Sequence, residues 1–231
     1  MERINSGIVG LDDLINGGIP KGHTVAVIGP FGAGKTTFGM QFLNQGLVNN
    51  EKCVFISLEE ERDSIVSSAE NFSWKFSDFE KKGNLKIIKL DPEDAKSTLT
   101  RIEGDISNEI RGFGAQRVVF DSATLLTMMF NEEHEKRHVL FSLSNAVKNA
   151  GATSVFTGEV NANNHFVSRD GLLEYVVDGV ISLDIIPIKE RYEFRLVLQI
   201  LKMRRTGHSR SVHPFYINEK GIEVLSSFDL L

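Results

Sequence analysis

With 231 residues, 41% of them hydrophobic and 25% charged, and only 5 prolines, the chain has the composition of a folded globular protein and not of a disordered or fibrous one. Its 26 basic and 31 acidic residues leave a formal charge of −5, the wrong sign for a protein that coats nucleic acid through bulk charge. The one cysteine, Cys53, excludes an intramolecular disulfide, no apolar run approaches ~18 residues, and the opening Met1-Glu2-Arg3-Ile4-Asn5 lacks a signal-peptide core. A cytoplasmic protein without a membrane span is expected.

Taken in chain order, short apolar runs predict strands at His23–Gly29, Cys53–Glu59, Leu85–Asp91, Arg117–Ser122 and Thr153–Val160. Helical patterns fall between them at Thr36–Asn50, Thr98–Phe113 and Glu133–Ala150. In the last, Val139, Leu140, Leu143 and Val147 recur at helical spacing. Strands that are apolar without alternation, and that take turns with helices, predict an α/β fold: a mainly parallel twisted sheet with helices on both faces. From Asp178 the pattern changes. Gly179–Ile188 and Tyr192–Met203 are extended runs joined by Lys189–Arg191, and Pro214–Asn218 and Gly221–Leu225 flank Glu219-Lys220. These read as C-terminal antiparallel hairpins. No linker or repeat interrupts the chain, so residues 1–231 are expected to form a single domain.

Gly29-Pro30-Phe31-Gly32-Ala33-Gly34-Lys35-Thr36-Thr37 matches G-x-x-x-x-G-K-[ST] and stands between a predicted strand (Val25-Ala26-Val27-Ile28) and a predicted helix. Glycines let such a loop wrap phosphate oxygens with inward N–H groups, and the helix adds the positive end of its dipole. Lys35 is then expected to reach the β- and γ-phosphates and the Thr36 hydroxyl to ligate Mg²⁺. Arg117-Val118-Val119-Phe120-Asp121-Ser122 is an apolar strand closed by an acid, which places Asp121 on the same Mg²⁺ from a neighbouring strand. The other reading of Asp121 is a cap for the turn that follows. Glu59 and Glu60 end the second predicted strand, and either is a candidate to activate water; the same carboxylates, with Glu61, also suit a helix N-terminus.

Charge is unevenly spread. Residues 189–210 carry seven basic side chains (Lys189, Arg191, Arg195, Lys202, Arg204, Arg205 and Arg210) against Glu190 and Glu193, a local +5 beside −10 for the remainder. The segment is either a solvated basic hairpin or an edge that seeks an anion.

Ser6-Gly7-Ile8-Val9-Gly10-Leu11-Asp12, Asn16-Gly17-Gly18-Ile19-Pro20-Lys21-Gly22, the glycine-rich loop, Glu59-Glu60 and the Asp121 strand together resemble the KaiC-like ATPases of the RecA superfamily, single-domain archaeal members included. The likeness extends through Glu174-Tyr175-Val176-Val177-Asp178-Gly179-Val180 and Leu201-Lys202-Met203-Arg204-Arg205-Thr206-Gly207-His208, so it spans essentially the whole chain. It implies a RecA-like P-loop NTPase that binds and hydrolyses ATP with Mg²⁺, its active sites completed between subunits of a homo-oligomer, a hexameric ring in many relatives. It further implies that Lys202 and Arg204 act on the neighbouring subunit's nucleotide, with His208 close by, in a regulatory or signalling role. Clock-type members carry two such domains, so autophosphorylation and timekeeping are not carried over. Pro30-Phe31-Gly32-Ala33 departs from the family's usual loop wording, and Phe31 is bulky for its place.

Two rivals follow from other residues. His134-Glu135-Lys136-Arg137-His138 spells the zinc motif H-E-x-x-H, but on a polar stretch with no evident third ligand. A DNA-binding recombination accessory, as in the RadA-like relatives, is the second. Its contacts would come from Thr127–Arg137 and Asn161–Gly171, with His165 and Phe166 able to stack on bases; neither stretch is strongly basic, and only 28 residues precede Gly29, too few for the usual extra DNA-binding domain. A nucleotide-dependent switch that changes protein partners is a further possibility of the same core.

Overall fold

The strands at Thr24–Ile28, Cys53–Ser57, Arg117–Asp121 and Thr153–Gly158 are buried along their whole length, as unalternating apolar runs require of a sheet covered on both faces. The computed structural model describes residues 1–91, 95–188 and 193–225. The expected loop at Lys189–Arg191, with Tyr192, lies outside the described residues.

A small unit of β1 (Arg3–Ile4), α1 (Leu11–Leu14) and β2 (Ile19–Pro20) leads into β3 (Thr24–Ile28), α2 (Lys35–Val48) and β4 (Cys53–Ser57). Next come α3 (Arg62–Asn71), α4 (Phe76–Lys81) and β5 (Leu85–Lys89). After these, α5 (Ala95–Arg101) runs through a π-helical turn at Ile102–Ile106 into α6 (Ser107–Phe113). β6 (Arg117–Asp121), α7 (Ala123–Met128), α8 (Glu133–Asn149) and β7 (Thr153–Gly158) complete the alternating part. A short hairpin of β8 (Val160–Asn161) and β9 (Asn164–Ser168) and then α9 (Leu173–Val176) precede the long antiparallel strands β10 (Gly179–Ile188) and β11 (Glu193–Met203). The hairpin of β12 (Val212–Asn218) and β13 (Gly221–Val224) follows.

The main sheet has nine strands in the order β13-β12-β11-β10-β3-β7-β6-β4-β5, parallel from β10 to β5 and antiparallel from β10 to β13. The predicted α/β class and C-terminal hairpins are as found. One expectation is corrected: β6 does not adjoin the strand of the glycine-rich loop, because β7 lies between them.

Alternate residues of each strand feed two cores. Val25, Val27, Phe55, Val119 and Val155 face α2, α3 and the N-terminal unit. Ala26, Ile28, Val54, Val118, Phe120 and Phe156 face α6, α7 and α8. Beneath α2, Arg117 is fully buried at the start of β6. Its guanidinium binds Glu51 (2.7 Å), Asn5 O (2.8 Å) and Phe42 O (3.0 Å) and lies over the Phe42 ring, so its charge is paired and its donors are used.

Candidate functional site

Parallel strands bring their C-terminal ends to one crevice, and here β3, β7, β6 and β4 do so side by side. At the end of β3 the Gly29 amide donates to Gly158 O at the end of β7 (3.1 Å). A Cβ on Gly29 would stand 2.4 Å from Leu183 O, so the loop leaves the sheet through a gap that only glycine fits. Gly34, at φ 90°, caps α2 in the left-handed region and lies against Ile217 of β12, whose Cδ1 would be 2.7 Å from an added Cβ. Pro30, Phe31, Gly32 and Ala33 form the loop between these two glycines, and Phe31 stands at its tip, 90% exposed.

Lys35 opens α2 and donates from Nζ to Pro30 O at 2.8 Å. Burial lowers its pKa, and the carboxylates of Asp121, Glu159 and Glu59 oppose that shift. Thr36 donates from Oγ1 to Asp121 Oδ2 at 2.8 Å. From the intervening strand β7, the Thr157 hydroxyl donates to Asp121 Oδ1. Asp121 is 5% exposed, and burial raises its pKa; the two hydroxyl bonds work against that rise, and the charge of Glu60 adds to it. Its peptide bond to Ser122 is cis.

This is the chemistry of a hard-cation position. A buried carboxylate held by hydroxyls and pushed toward protonation gains from a divalent ion, and carboxylate and hydroxyl oxygens are the donors Mg²⁺ takes. Among the described residues no group of three His, Cys, Asp or Glu side chains is arranged to hold a metal alone. A Mg²⁺ held by Thr36 and Asp121 would need its remaining ligands from water and phosphate oxygens. His134 and His138 lie on the exposed first turns of α8, where His138 faces Glu103 at 3.8 Å.

At the end of β4, the Ser57 hydroxyl accepts the amides of Glu59 (3.2 Å) and Glu60 (2.9 Å) and donates to Glu60 O (2.8 Å), which fixes the turn that carries both acids. The structure separates them. Glu59 lines a cavity of about 410 Å³ together with Lys35, Thr36, Thr37 and Asp121, while the Glu60 carboxylate accepts from Ser64 of α3. Sequence reasoning missed Thr157, Ser122, Glu159 and Ile217, which complete this surroundings. Glu159 follows β7, pairs with Arg169 (2.9 Å) and lines the cavity; its place directly after a strand end was the available signal. Ile217 comes from β12, far along the chain, and had none.

Lys202 and Arg204 of the basic segment lie elsewhere, although Arg195 pairs with Ile186 toward the loop end of β10. Met203 of β11 pairs with Gly179 of β10, and Gly179 with Val25 of β3, so Lys202 and Arg204 stand at the end of the sheet opposite the glycine-rich loop. Strand rise puts roughly 13 Å between the two ends of the five-residue β3. Lys202 donates from Nζ to Glu174 O and Val177 O, both at 2.7 Å, and burial, with the charge of Arg204, lowers its pKa. Arg204 makes one longer ion pair, Nη1 to Asp178 Oδ1 at 3.4 Å. His208 points Nδ1 at Ser209 O (2.9 Å). None of the three meets its own chain's cavity. Lys189 and Arg191, from the same segment, are outside the described residues.

The two stretches expected to contact DNA are largely self-neutralised. Lys136 pairs with Asp170, Arg137 with Glu133 and Arg169 with Glu159. His165 pairs with Asp184, and Phe166 remains exposed.

A glycine-rich loop in mid-sheet, a lysine and threonine at the start of the helix it feeds, and a strand-end aspartate one strand removed define a P-loop nucleotide-binding core of RecA type. Comparison with known proteins narrows the class. The KaiC ATPase family model matches residues 4–228, and the chain belongs to that family. It is 32% identical to a UPF0273 protein of Methanopyrus kandleri over 97% of this chain and 92% of the relative. Against the circadian clock oscillator protein KaiC of Synechococcus elongatus it is 33% identical over 96% of this chain, but it spans 44% of that longer protein. A crystal structure of a KaiC-like protein from Pyrococcus horikoshii superposes with a TM-score of 0.85 at 34% identity, covering 97% of this chain and 99% of the other. Among the described residues no helix is long and apolar enough to cross a membrane.

Proposed function

We propose that this chain binds Mg²⁺·ATP at residues 29–37 and hydrolyses it at a site finished by a second copy of itself. The observation that carries the reading is the convergence of Lys35, Thr36, Asp121 and Glu59 on one cavity. The amides of Gly32 through Thr37 and the Lys35 ammonium hold the β- and γ-phosphates, for which Lys35 exchanges its bond to Pro30 O. Thr36 and Asp121 would hold Mg²⁺, which would supply charge neutralisation for the phosphate oxygens. Of the two candidate bases Glu59 is favoured: it lines the cavity, whereas the Glu60 carboxylate is engaged by Ser64. Glu59 takes the proton of the attacking water as the γ-phosphoryl is transferred.

Arg204 is too far from its own chain's phosphates to stabilise that transfer, so it serves a neighbour, with Lys202 behind it contributing the N–H that its two carbonyl bonds leave over. The oligomer is homotypic and head to tail, a hexameric ring in the form the family favours, and its turnover is regulated by assembly. Protein or DNA partners would act on such a ring from outside the catalytic site. The test pairs two variants. Lys35→Ala weakens ATP binding by about 100-fold in a titration with labelled nucleotide. Arg204→Ala leaves that affinity within about twofold while hydrolysis falls by ~10³. Unchanged binding by Lys35→Ala overturns the site, and unchanged hydrolysis by Arg204→Ala overturns its completion in trans.

A further inference from the structure

Asp178 has no role in the chemistry above, yet it is tied to three elements at once. It stands between α9 and β10, with its amide donating to Thr24 O (2.8 Å) and its carbonyl accepting the Arg204 amide (2.8 Å). Its carboxylate accepts the Thr24 amide through Oδ2 at 3.1 Å and meets Lys148 Nζ of α8 through the same oxygen at 2.9 Å. Oδ1 faces the Arg204 guanidinium at 3.4 Å. Burial acts to raise the Asp178 pKa, but Lys148, the Thr24 amide and His23 more than offset it, so the group is held below the ordinary carboxylate value and stays charged.

The two cations are bound unequally. Lys148 is the close partner and the less exposed one; Arg204 is held at longer range by one nitrogen, with about half its side chain exposed. Among the described residues no other side-chain hydrogen bond of Arg204 is formed, so most of its N–H donors remain for a ligand. A long arginine that must first be ordered loses rotamer freedom on meeting a phosphate, and a carboxylate brace removes part of that loss in advance. A carboxylate with no other partner would instead trap the guanidinium. Sharing with Lys148 keeps the brace loose.

We propose that Asp178, with Lys148 as its counter-charge, is a positioning residue that presents Arg204 to the γ-phosphate bound by a second copy of the chain. The inference rests on the reading of Arg204 as acting in trans. Steady-state hydrolysis and ATP binding by Asp178→Asn, Arg204→Ala and the double variant test it, with folding checked by thermal melting. Asp178→Asn lowers kcat about fivefold with KM and ATP affinity within about twofold of wild type, and the double variant is no slower than Arg204→Ala alone. Losses that multiply in the double variant, or an unchanged kcat in Asp178→Asn, overturn the proposal while leaving Arg204 in place. An unchanged kcat in Arg204→Ala overturns both. Should Asp178→Asn fail to fold, Lys148→Gln replaces it: tightening the carboxylate on Arg204 lowers kcat about threefold, and Arg204→Ala abolishes that sensitivity. A Lys148→Gln loss that persists in the Arg204→Ala background counts against the proposal.

Discussion

At the scale of single residues, the site is organised around a carboxylate that the free protein holds at a cost. Asp121 is buried, its two hydroxyl partners are neutral, and Glu60 adds like charge, so its pKa lies above the ordinary value. An acid whose folded pKa exceeds its unfolded one binds its proton more tightly when folded. The resulting stability deficit is absent below the unfolded value, opens as pH rises through the folded one, and is full above it. Asp121→Asn should therefore raise the melting temperature at neutral pH without nucleotide, by about 2–4 °C for each kcal/mol relieved, and the gain should vanish as pH falls toward 4. The same variant should lose the stabilisation that Mg²⁺·ATP gives the wild type. Glu59→Gln and Glu60→Gln separate the bases: the first should cut hydrolysis by about 10²–10⁴ with ATP still bound, and the second should cost far less. Equal losses would remove the distinction that the Ser57 turn draws between them. Lys35, Thr36 and Asp121 were legible in the sequence because their spacing and strand–helix context are local. Thr157 was not, since a threonine inside a strand carries no mark until the order of strands places it beside Asp121.

At the scale of elements, two glycines bear opposite burdens. Gly29 passes within a Cβ's reach of the Leu183 carbonyl, a backbone group that cannot swing aside. Gly29→Ala should cost about 1–3 kcal/mol in urea unfolding and weaken ATP binding with it. Gly112, in α6, would place a Cβ in open space, and Gly112→Ala should be neutral or stabilise by roughly 0.5 kcal/mol. The strands of the parallel core and the long β10–β11 hairpin were readable because full burial and antiparallel pairing leave apolar runs of distinct length. The short elements α4, α7, β8 and β9 were not, being made by packing more than by periodicity; β9 is exposed for most of its length. Strand order was unreadable too. It is a non-local property, and it separates β3 from β6 by one strand where adjacency was expected.

At the scale of the whole molecule, charge is sorted by the ends of the sheet. Glu59, Glu159 and Asp121 outnumber Lys35 around the nucleotide cavity, while Lys21, Lys148, Arg204 and Arg205 outnumber Asp178 around a cleft of about 330 Å³ at the other end. Of the +5 segment legible in the sequence, Lys202, Arg204 and Arg205 lie at this far end, whereas Arg195 pairs with Ile186 at the other end of β10. Contacts between exposed charges are screened by salt, so assembly should weaken as ionic strength rises, and sedimentation at 50 mM and 500 mM salt checks this at about the Debye lengths that matter. The central claim is that each catalytic site is shared, and mixing two crippled proteins tests it most directly. Glu59→Gln subunits keep Arg204 but lack the base; Arg204→Ala subunits keep the base but lack the finger. Neither should hydrolyse ATP appreciably alone, whereas an equal mixture, assembled with Mg²⁺·ATP, should recover up to about a quarter of the wild-type rate for random placement in a closed ring. A mixture no faster than its separate components would contradict the account.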